Sequence, residues 1–336
     1  MKKACIVTGD SFYTDNRLFN LDDPIANRDN CLFPFYLLQK QLLENGYELS
    51  TSDLNLPSNS ELVLYNEMPR VLPAPSEKQK SFLMLFESEL IRPDNWIVEN
   101  HKAFNTVFTW HDDLVGTNNY SKINFSFDII KGVSKDLSKK KKLCTLIAGN
   151  KKVSHPLELY SKRIEVIRWF EKHHPENFDL YGVGWDRHRF SGPKIIRALN
   201  RVTFLTKLFA PKYPSYKGRV DVKKTTLEKY KFAICYENAR DIPGYITEKI
   251  FDCLFAGCIP VYWGASNISD YIPDNCYVDM RNFNSYEELY LYLIEMNDED
   301  YSFRLNEIEL FLNSGKIQDF SAETFAQTVV NKTVIK

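Results

Sequence analysis

The sequence holds no apolar run approaching the ~20 residues that a membrane-spanning helix requires, and the apolar stretch behind Lys2 and Lys3 stops at Val7, too short for the core of a secretory signal. It has no excess of charge: 43 Lys and Arg stand against 44 Asp and Glu, a formal net charge of −1, so no nucleic-acid partner is expected from bulk attraction. Cysteine is sparse and unpatterned. The seven thiols form no Cys-x-x-Cys pair and no metal-ligand spacing, and Cys5, Cys144, Cys235 and Cys258 lie among apolar, strand-forming neighbours. An odd count of such thiols points to a reducing, cytoplasmic compartment. There is no internal repeat. What remains is the composition of a globular protein, 44% hydrophobic and 26% charged over 336 residues, long enough for two domains with separate cores.

Strand-like and helix-like stretches alternate from the start. Residues 4–8, 47–51, 61–65, 81–86 and 104–110 read as strands, 31–44 as a helix closed by Asn45-Gly46, and 69–75 as a Pro-rich connector. The basic tract 139–142 reads as a solvated linker. A strand at 143–148, a helix at 156–172 and a strand and glycine turn at 178–184 begin a second unit, and 285–297, 301–313 and 322–331 read as terminal helices. This alternation predicts an α/β protein divided near the linker, 1–140 and 141–336.

Residues 231–264 carry the chemistry. Two buried strands, 231–236 and 258–263, flank a helix over 248–256 that Thr247 is placed to cap and Gly257 to end. Such a crossover builds a parallel sheet. Its loop brings Tyr245, Thr247, Glu248 and Lys249 to a helix N-terminus, where free amides and the dipole attract phosphate, so a diphosphate-bearing ligand is expected. The competing reading is an ordinary crossover with a solvated Glu and Lys.

Tyr236-Glu237-Asn238, Tyr245-Ile246-Thr247-Glu248-Lys249, then Ala256-Gly257-Cys258-Ile259-Pro260-Val261 and Gly264 resemble, in order, the sugar-nucleotide motif of the α1,3/4-fucosyltransferases, which use GDP-fucose. The resemblance implies two facing Rossmann-like domains of the GT-B type with C-terminal helices, an acceptor glycan held mainly by the first and GDP-fucose by the second, and inversion at the anomeric carbon. It implies a catalytic Glu followed by Ser at a strand end, which fits Glu87 in Leu85-Phe86-Glu87-Ser88. Glu89 stands where relatives often have Pro, so a short slip makes Glu89 the base instead, and both remain readable as exposed loop charges. Arg163 is implied as a diphosphate contact, against a surface Arg paired with Glu158 or Glu165. By the same resemblance Lys249 and the amides at Thr247 meet the diphosphate, Asn238 and Tyr245 the nucleotide, and Glu248 sugar or ribose hydroxyls, while Glu237 orients the donor groups. A second GDP-sugar as donor, or a non-catalytic glycan- or nucleotide-binding module, stays open.

No cofactor is required on this reading, and a stimulating divalent cation has no identified ligand set. His111 lacks a second ligand and reads as a surface turn residue. The Asp298-Glu299-Asp300 match to a metal-binding pair falls after a helical run and is expected to start the next helix. The stretch 194–219 is basic, with Arg197, Arg201, Lys207 and Arg219 among apolar residues and no acid. It reads as a peripheral contact with an anionic membrane, as a basic lip over the cleft, or as a core-facing helix.

Overall fold

The computed structural model describes residues 1–117, 119–190 and 192–334. Two wholly parallel sheets form two lobes. The first contains β1 (Lys2–Thr8), α1 (Phe33–Glu44), β2 (Tyr47–Thr51), β3 (Leu62–Asn66), β4 (Lys80–Leu85), α2 (Val98–His101), β5 (Thr106–Thr109) and β6 (Tyr120–Lys122), with strand order β2-β1-β3-β4-β5-β6. The second contains β7 (Lys142–Ile147), α3 (Tyr160–His173), β8 (Phe178–Tyr181), α4 (Lys194–Ala198), α5 (Thr203–Leu208), α6 (Lys223–Leu227), β9 (Tyr230–Tyr236), α7 (Glu248–Phe255), β10 (Ile259–Trp263), α8 (Ile268–Tyr271), β11 (Val278–Asp279), α9 (Tyr286–Glu295) and α10 (Asp298–Asn313), with order β11-β10-β9-β7-β8, and the chain then returns to the first lobe as α11 (Ala322–Thr333). The central strands are buried on both faces, as parallel strands under helices must be: Ala4, Cys5 and Ile6 in β1, and Phe232 through Tyr236 in β9. All seven cysteines are free thiols, six of them buried and Cys31 exposed.

In each sheet the chain reverses direction of winding once, between β1 and β3 in the first and between β7 and β9 in the second. Crevices open at the carboxyl ends of strands at such points. The lobes meet there through a wedge: Trp110, just past β5, lies with its ring centroid 4.6 Å from that of Tyr245. Gly244 makes this approach possible. At φ +79° it adopts a left-handed backbone, and a Cβ on it would lie 2.2 Å from the Trp110 carbonyl oxygen. Beside the wedge, Asn267 and Tyr271 of the second lobe both donate to the Asp112 carboxylate, at 2.8 and 2.6 Å.

Several expectations change. The division at 140 gave α11 to the second unit, yet its stripe of Phe325, Ala326, Val329 and Val330 completes the first lobe's core beside Leu38 and Leu42 of α1. The Lys139–Lys142 tract is not simply solvated, since Lys140 donates to the Gly257 carbonyl at 2.7 Å and Lys142 pairs with Asp179 at 2.9 Å. The helix expected from 156 begins at Tyr160. Residues 194–209 form two short helices joined by a 3-10 turn, and they are not the core-facing helix that was one reading of this stretch, since Ile195, Phe204, Leu208 and Phe209 are left at 85, 72, 61 and 58% exposure. No described helix is long and apolar enough to cross a membrane.

Candidate active site

The second lobe's side of the crevice is built where β9 gives way to α7. Glu237 follows the last residue of β9 and its amide still donates to the Trp263 carbonyl at 2.8 Å, so the side chain turns down beneath the helix start. It has no solvent exposure, and Gly264 leaves it room: a Cβ there would lie 2.5 Å from Glu237 Cγ. One Glu237 oxygen accepts from the Thr247 amide at 2.8 Å, the other from the Thr247 hydroxyl at 2.7 Å and from Lys249 Nζ at 3.1 Å. Lys249 also donates to Thr247 Oγ1 at 2.9 Å. Thr247 is therefore the N-cap residue without capping. Its hydroxyl donates backward to Glu237, so no side chain of its own covers the first amides of α7.

Arg163 is buried, 4% exposed, on α3. Its Nη2 donates to the carbonyls of Tyr236 and Glu237 at 2.6 and 2.8 Å and to Asn238 Oδ1 at 3.1 Å, and its guanidinium lies 4.8 Å over the Tyr160 ring. The surface pairing with Glu158 or Glu165 does not form; those carboxylates take Ser161 and Lys162. Asn238 reaches the Tyr245 hydroxyl at 3.4 Å. Tyr245 itself is nearly fully buried, so its ring serves the wedge while its edge borders the site.

Tyr160, Arg163, Asn238, Tyr245, Thr247, Glu248 and Lys249 line one cavity of about 340 Å³, which also receives Lys151, Lys223 and, from the opposite lobe, Glu87, while Glu237 lies behind this lining and does not reach the cavity. Within it the Tyr160 hydroxyl is buried with no protein partner. Burial works against the Lys249 ammonium, but Glu237 and Glu248 outweigh it and hold its pKa above the ordinary value. Burial likewise opposes the Glu248 carboxylate, yet Lys249 and Lys223 bring its pKa down to about 2. Glu248 thus stays ionised beside two cations. Asp252, paired with Lys223 at 2.7 Å, is pushed up to about 6 by burial.

Glu87 sits two residues past β4. Burial raises its pKa, with Lys151 and Lys249 pulling the other way. It borders a second cavity as well, of about 820 Å³ and lined by Phe35, Phe86, Phe127 and Phe251 among others, so it stands at the junction of a cationic and an aromatic chamber. Glu89 is exposed and borders neither cavity. Geometry thereby separates the two carboxylates that the sequence left open.

His111 is no surface turn residue: its ring packs against Trp96 and Trp110, each at 5.5 Å between centroids, its Nδ1 is buried without a partner, and burial lowers its pKa. Asp298 does start α10, with Asn297 as its cap. Among the described residues no group of three His, Cys, Asp or Glu side chains is placed to hold a metal ion. Sequence reasoning missed Glu67, Tyr160 and Lys223. Tyr160 and Lys223 lack any local signal, because only the crossover geometry turns them inward. Glu67 had one, a carboxylate just past a parallel strand, as Glu87 is.

Two facing α/β lobes with a cationic chamber at the crevice of one define the GT-B class of glycosyltransferase folds. Solved structures agree: an α1,3-fucosyltransferase determined with GDP-fucose superposes with a TM-score of 0.56 at 15% identity over 100% of this chain and 91% of that one, and an α-glucosyltransferase in complex with UDP-glucose and DNA with 0.56 at 12% identity over 99% of both. Residues 137–305, half of the chain, match the sequence model of glycosyltransferase family 10 (fucosyltransferase), C-terminal region. The chain belongs to that family. An α-(1,4)-fucosyltransferase of Arabidopsis thaliana is 39% identical over 70 residues, 21% of this chain and 17% of that protein. The α-(1,3)-fucosyltransferase FucT of Helicobacter pylori is 35% identical over 71 residues, 21% and 15%. The matched stretches are thus a small part of these curated relatives.

Proposed function

We propose that the protein transfers fucose from GDP-fucose to a hydroxyl of an acceptor glycan, in α1,3 or α1,4 linkage, with inversion. One observation carries this reading: a buried-edge carboxylate of the first lobe, Glu87, shares a cavity with Lys249, Arg163 and the uncapped start of α7 in the second. The acceptor oxygen bonds to the anomeric carbon as the bond from that carbon to the diphosphate breaks, the electron pair leaving on GDP. A hydroxyl is a weak nucleophile at neutral pH, so its proton passes to Glu87 as the new bond forms. A single displacement by the acceptor inverts the centre. Raised by burial, the Glu87 carboxylate is a stronger base than a solvated one.

Charge appears on the departing diphosphate in the same step. Lys249, Arg163 and the α7 amides are already held in place by Glu237, Thr247 and Asn238, so little reorganisation accompanies charge development. This arrangement supplies the electrostatic role without a resident metal. The Tyr160 hydroxyl and Asn238 are positioned to meet the nucleotide, and Glu248, kept ionised, to accept from sugar or ribose hydroxyls. The aromatic chamber beyond Glu87 receives the acceptor, whose pyranose faces pack on phenylalanine rings.

The deciding experiment pairs binding with turnover. Glu87→Gln should bind GDP as the wild type does, by calorimetry, while release of GDP from GDP-fucose in the presence of galactose- and N-acetylglucosamine-containing acceptors falls by ~10²- to 10⁴-fold. Unchanged turnover in that variant removes Glu87 from the reaction, and tighter competition by GDP-mannose than by GDP-fucose replaces the donor. We further propose that the protein works at the cytoplasmic face of a membrane, on a lipid-borne precursor of a surface glycan such as lipopolysaccharide. The exposed Ile195, Phe204, Leu208 and Phe209 lie among Lys194, Arg197, Arg201 and Lys207, a pattern suited to anionic headgroups. Failure to sediment with vesicles containing phosphatidylglycerol at low salt rules this contact out.

A further inference from the structure

The carboxyl ends of β3 and β4 hold one carboxylate that the transfer scheme leaves unused. β3 and β4 pair in parallel to Asn66 and Met84, and the Glu67 amide makes one more ladder bond, to the Met84 carbonyl at 3.0 Å. Glu67 then departs from the strand in a left-handed backbone conformation, φ +76°, which a residue with a Cβ seldom adopts. The departure ends the ladder before it reaches Phe86 and Glu87, whose amides would lose their partners at the edge of the cleft. The Glu67 side chain supplies them: Oε1 accepts from the Phe86 amide at 3.2 Å and from the Glu87 amide at 2.9 Å. Its Oε2 accepts from Asn95, a side chain with no solvent exposure. Asn95 is held in turn by the Met68 amide, which donates to its Oδ1 at 2.9 Å. The Glu87 carbonyl is fixed from the other side, by Trp96 Nε1 at 3.1 Å and Asn95 Nδ2 at 3.3 Å.

We propose that Glu67 is a positioning residue for the transfer, its carboxylate standing in for the missing strand and fixing the peptide from which Glu87 reaches the cavity. The proposal rests on Glu87 being the base. Both Glu67 oxygens are engaged by donors, so Glu67 holds the base and does not replace it. Strain at φ +76° is tolerated because three donors converge on the carboxylate that this backbone angle delivers.

A second consequence is electrostatic. Glu87 faces Lys151 and Lys249 from the second lobe, Arg92 from its own loop, and Glu248. Glu67 faces Glu87 and Arg92. The charge of Glu87 adds to burial in raising the Glu67 carboxyl to about 7.

Two variants test this. Glu67→Gln keeps the shape but must oppose an NH₂ group either to Asn95 or to the backbone amides. Glu67→Gly relaxes the φ strain and deletes the carboxylate, so it stays informative should the Gln variant fold poorly. Each should lower the rate of transfer at saturating substrates by at least 10-fold with the KM for GDP-fucose unchanged. Independently of turnover, amide exchange at Phe86 and Glu87 should accelerate at least 10-fold, read by NMR without donor or acceptor. A purely structural residue would leave the rate per folded molecule unchanged. Unaltered exchange at Phe86 and Glu87 with full transfer overturns the assignment. If the wild type transfers nothing, the function reading fails, and the exchange rates still decide whether Glu67 anchors the Glu87 peptide.

Discussion

Removing Lys249 should damage the protein twice, once in stability and once in ligand binding, and the two effects can be separated. In the wild type the Lys249 ammonium is the cation nearest a carboxylate with no exposure, at 3.1 Å from Glu237 Oε2. Lys249→Ala leaves Glu237 with the Thr247 amide and hydroxyl but without a counter-charge. One-sided removal of a buried ion pair costs ~3–5 kcal/mol. The lower end applies here, since 23% of the Lys249 side chain reaches the cleft and water enters once it is gone. The binding loss is a different quantity, one charge-assisted hydrogen bond to phosphate, ~1.5–3 kcal/mol, or roughly 10- to 100-fold in Kd. Adding Glu237→Gln to Lys249→Ala removes the stranded charge, so urea denaturation of the double variant should show most of the stability restored. Calorimetry with GDP should show that affinity is not. A single variant as stable as the wild type would mean that Glu237 does not depend on this cation, and recovery of GDP affinity in the double variant would mean that Lys249 serves the fold alone.

Two further outcomes follow from the backbone and from burial. Gly244→Ala introduces both left-handed strain, ~1–2 kcal/mol, and a collision with the Trp110 carbonyl between lobes, whereas Gly46→Ala, at φ +85° with no atom within 4 Å of the added Cβ, introduces strain alone. Chemical denaturation should place the first ~1–3 kcal/mol below the second, and equal losses would deny the close approach at the wedge. The pKa of Glu67 is raised from 4.5 to about 7, by burial first and also by Glu87, against the hydrogen bonds it accepts. A raised carboxyl favours folding below its unfolded value and loses that contribution as pH climbs through 7, so the stability margin of wild type over Glu67→Gln should shrink by ~2–3 kcal/mol between pH 5 and pH 8. Glu248, held at about 2, acts in the opposite sense and only in acid, its contribution fading as pH falls from 4.5 through 2. A margin that is the same at pH 5 and pH 8 contradicts the burial assigned to Glu67.

Strand content was readable because parallel strands buried on both faces are written as runs of β-branched and aromatic residues. β2 matches its expected bounds, and β9 starts one residue early, at Tyr230. The loop from Glu237 to Lys249 was readable for another reason: a helix start, a glycine end and the residues between them are neighbours in sequence. Thr247 shows where this stops working. A Thr at an N-cap position predicts a hydroxyl bonded to its own helix, but a buried carboxylate ten residues earlier competes for that hydroxyl and wins. Of the readings of 194–219 only the core-facing helix is lost, since residue periodicity cannot see the break at Val202 or the exposure of Ile195 and Phe204.

By itself the sequence determined which local units exist, in what order, and that one of them brings a lysine to the N-terminus of a helix. Only the tertiary structure decided that Glu87 and not Glu89 enters the cleft, that Arg163 is buried against the end of β9, and that α11 belongs to the first lobe. The physical reason is one of range. A helix cap or strand pattern depends on residues a few positions apart, whereas the direction of a side chain past a strand's end depends on which distant groups hydrogen-bond to its backbone. For Glu87 those groups are the Glu67 carboxylate, which accepts from its amide, and the Asn95 and Trp96 side-chain N–H groups, which donate to its carbonyl, and no spacing in the chain records their convergence.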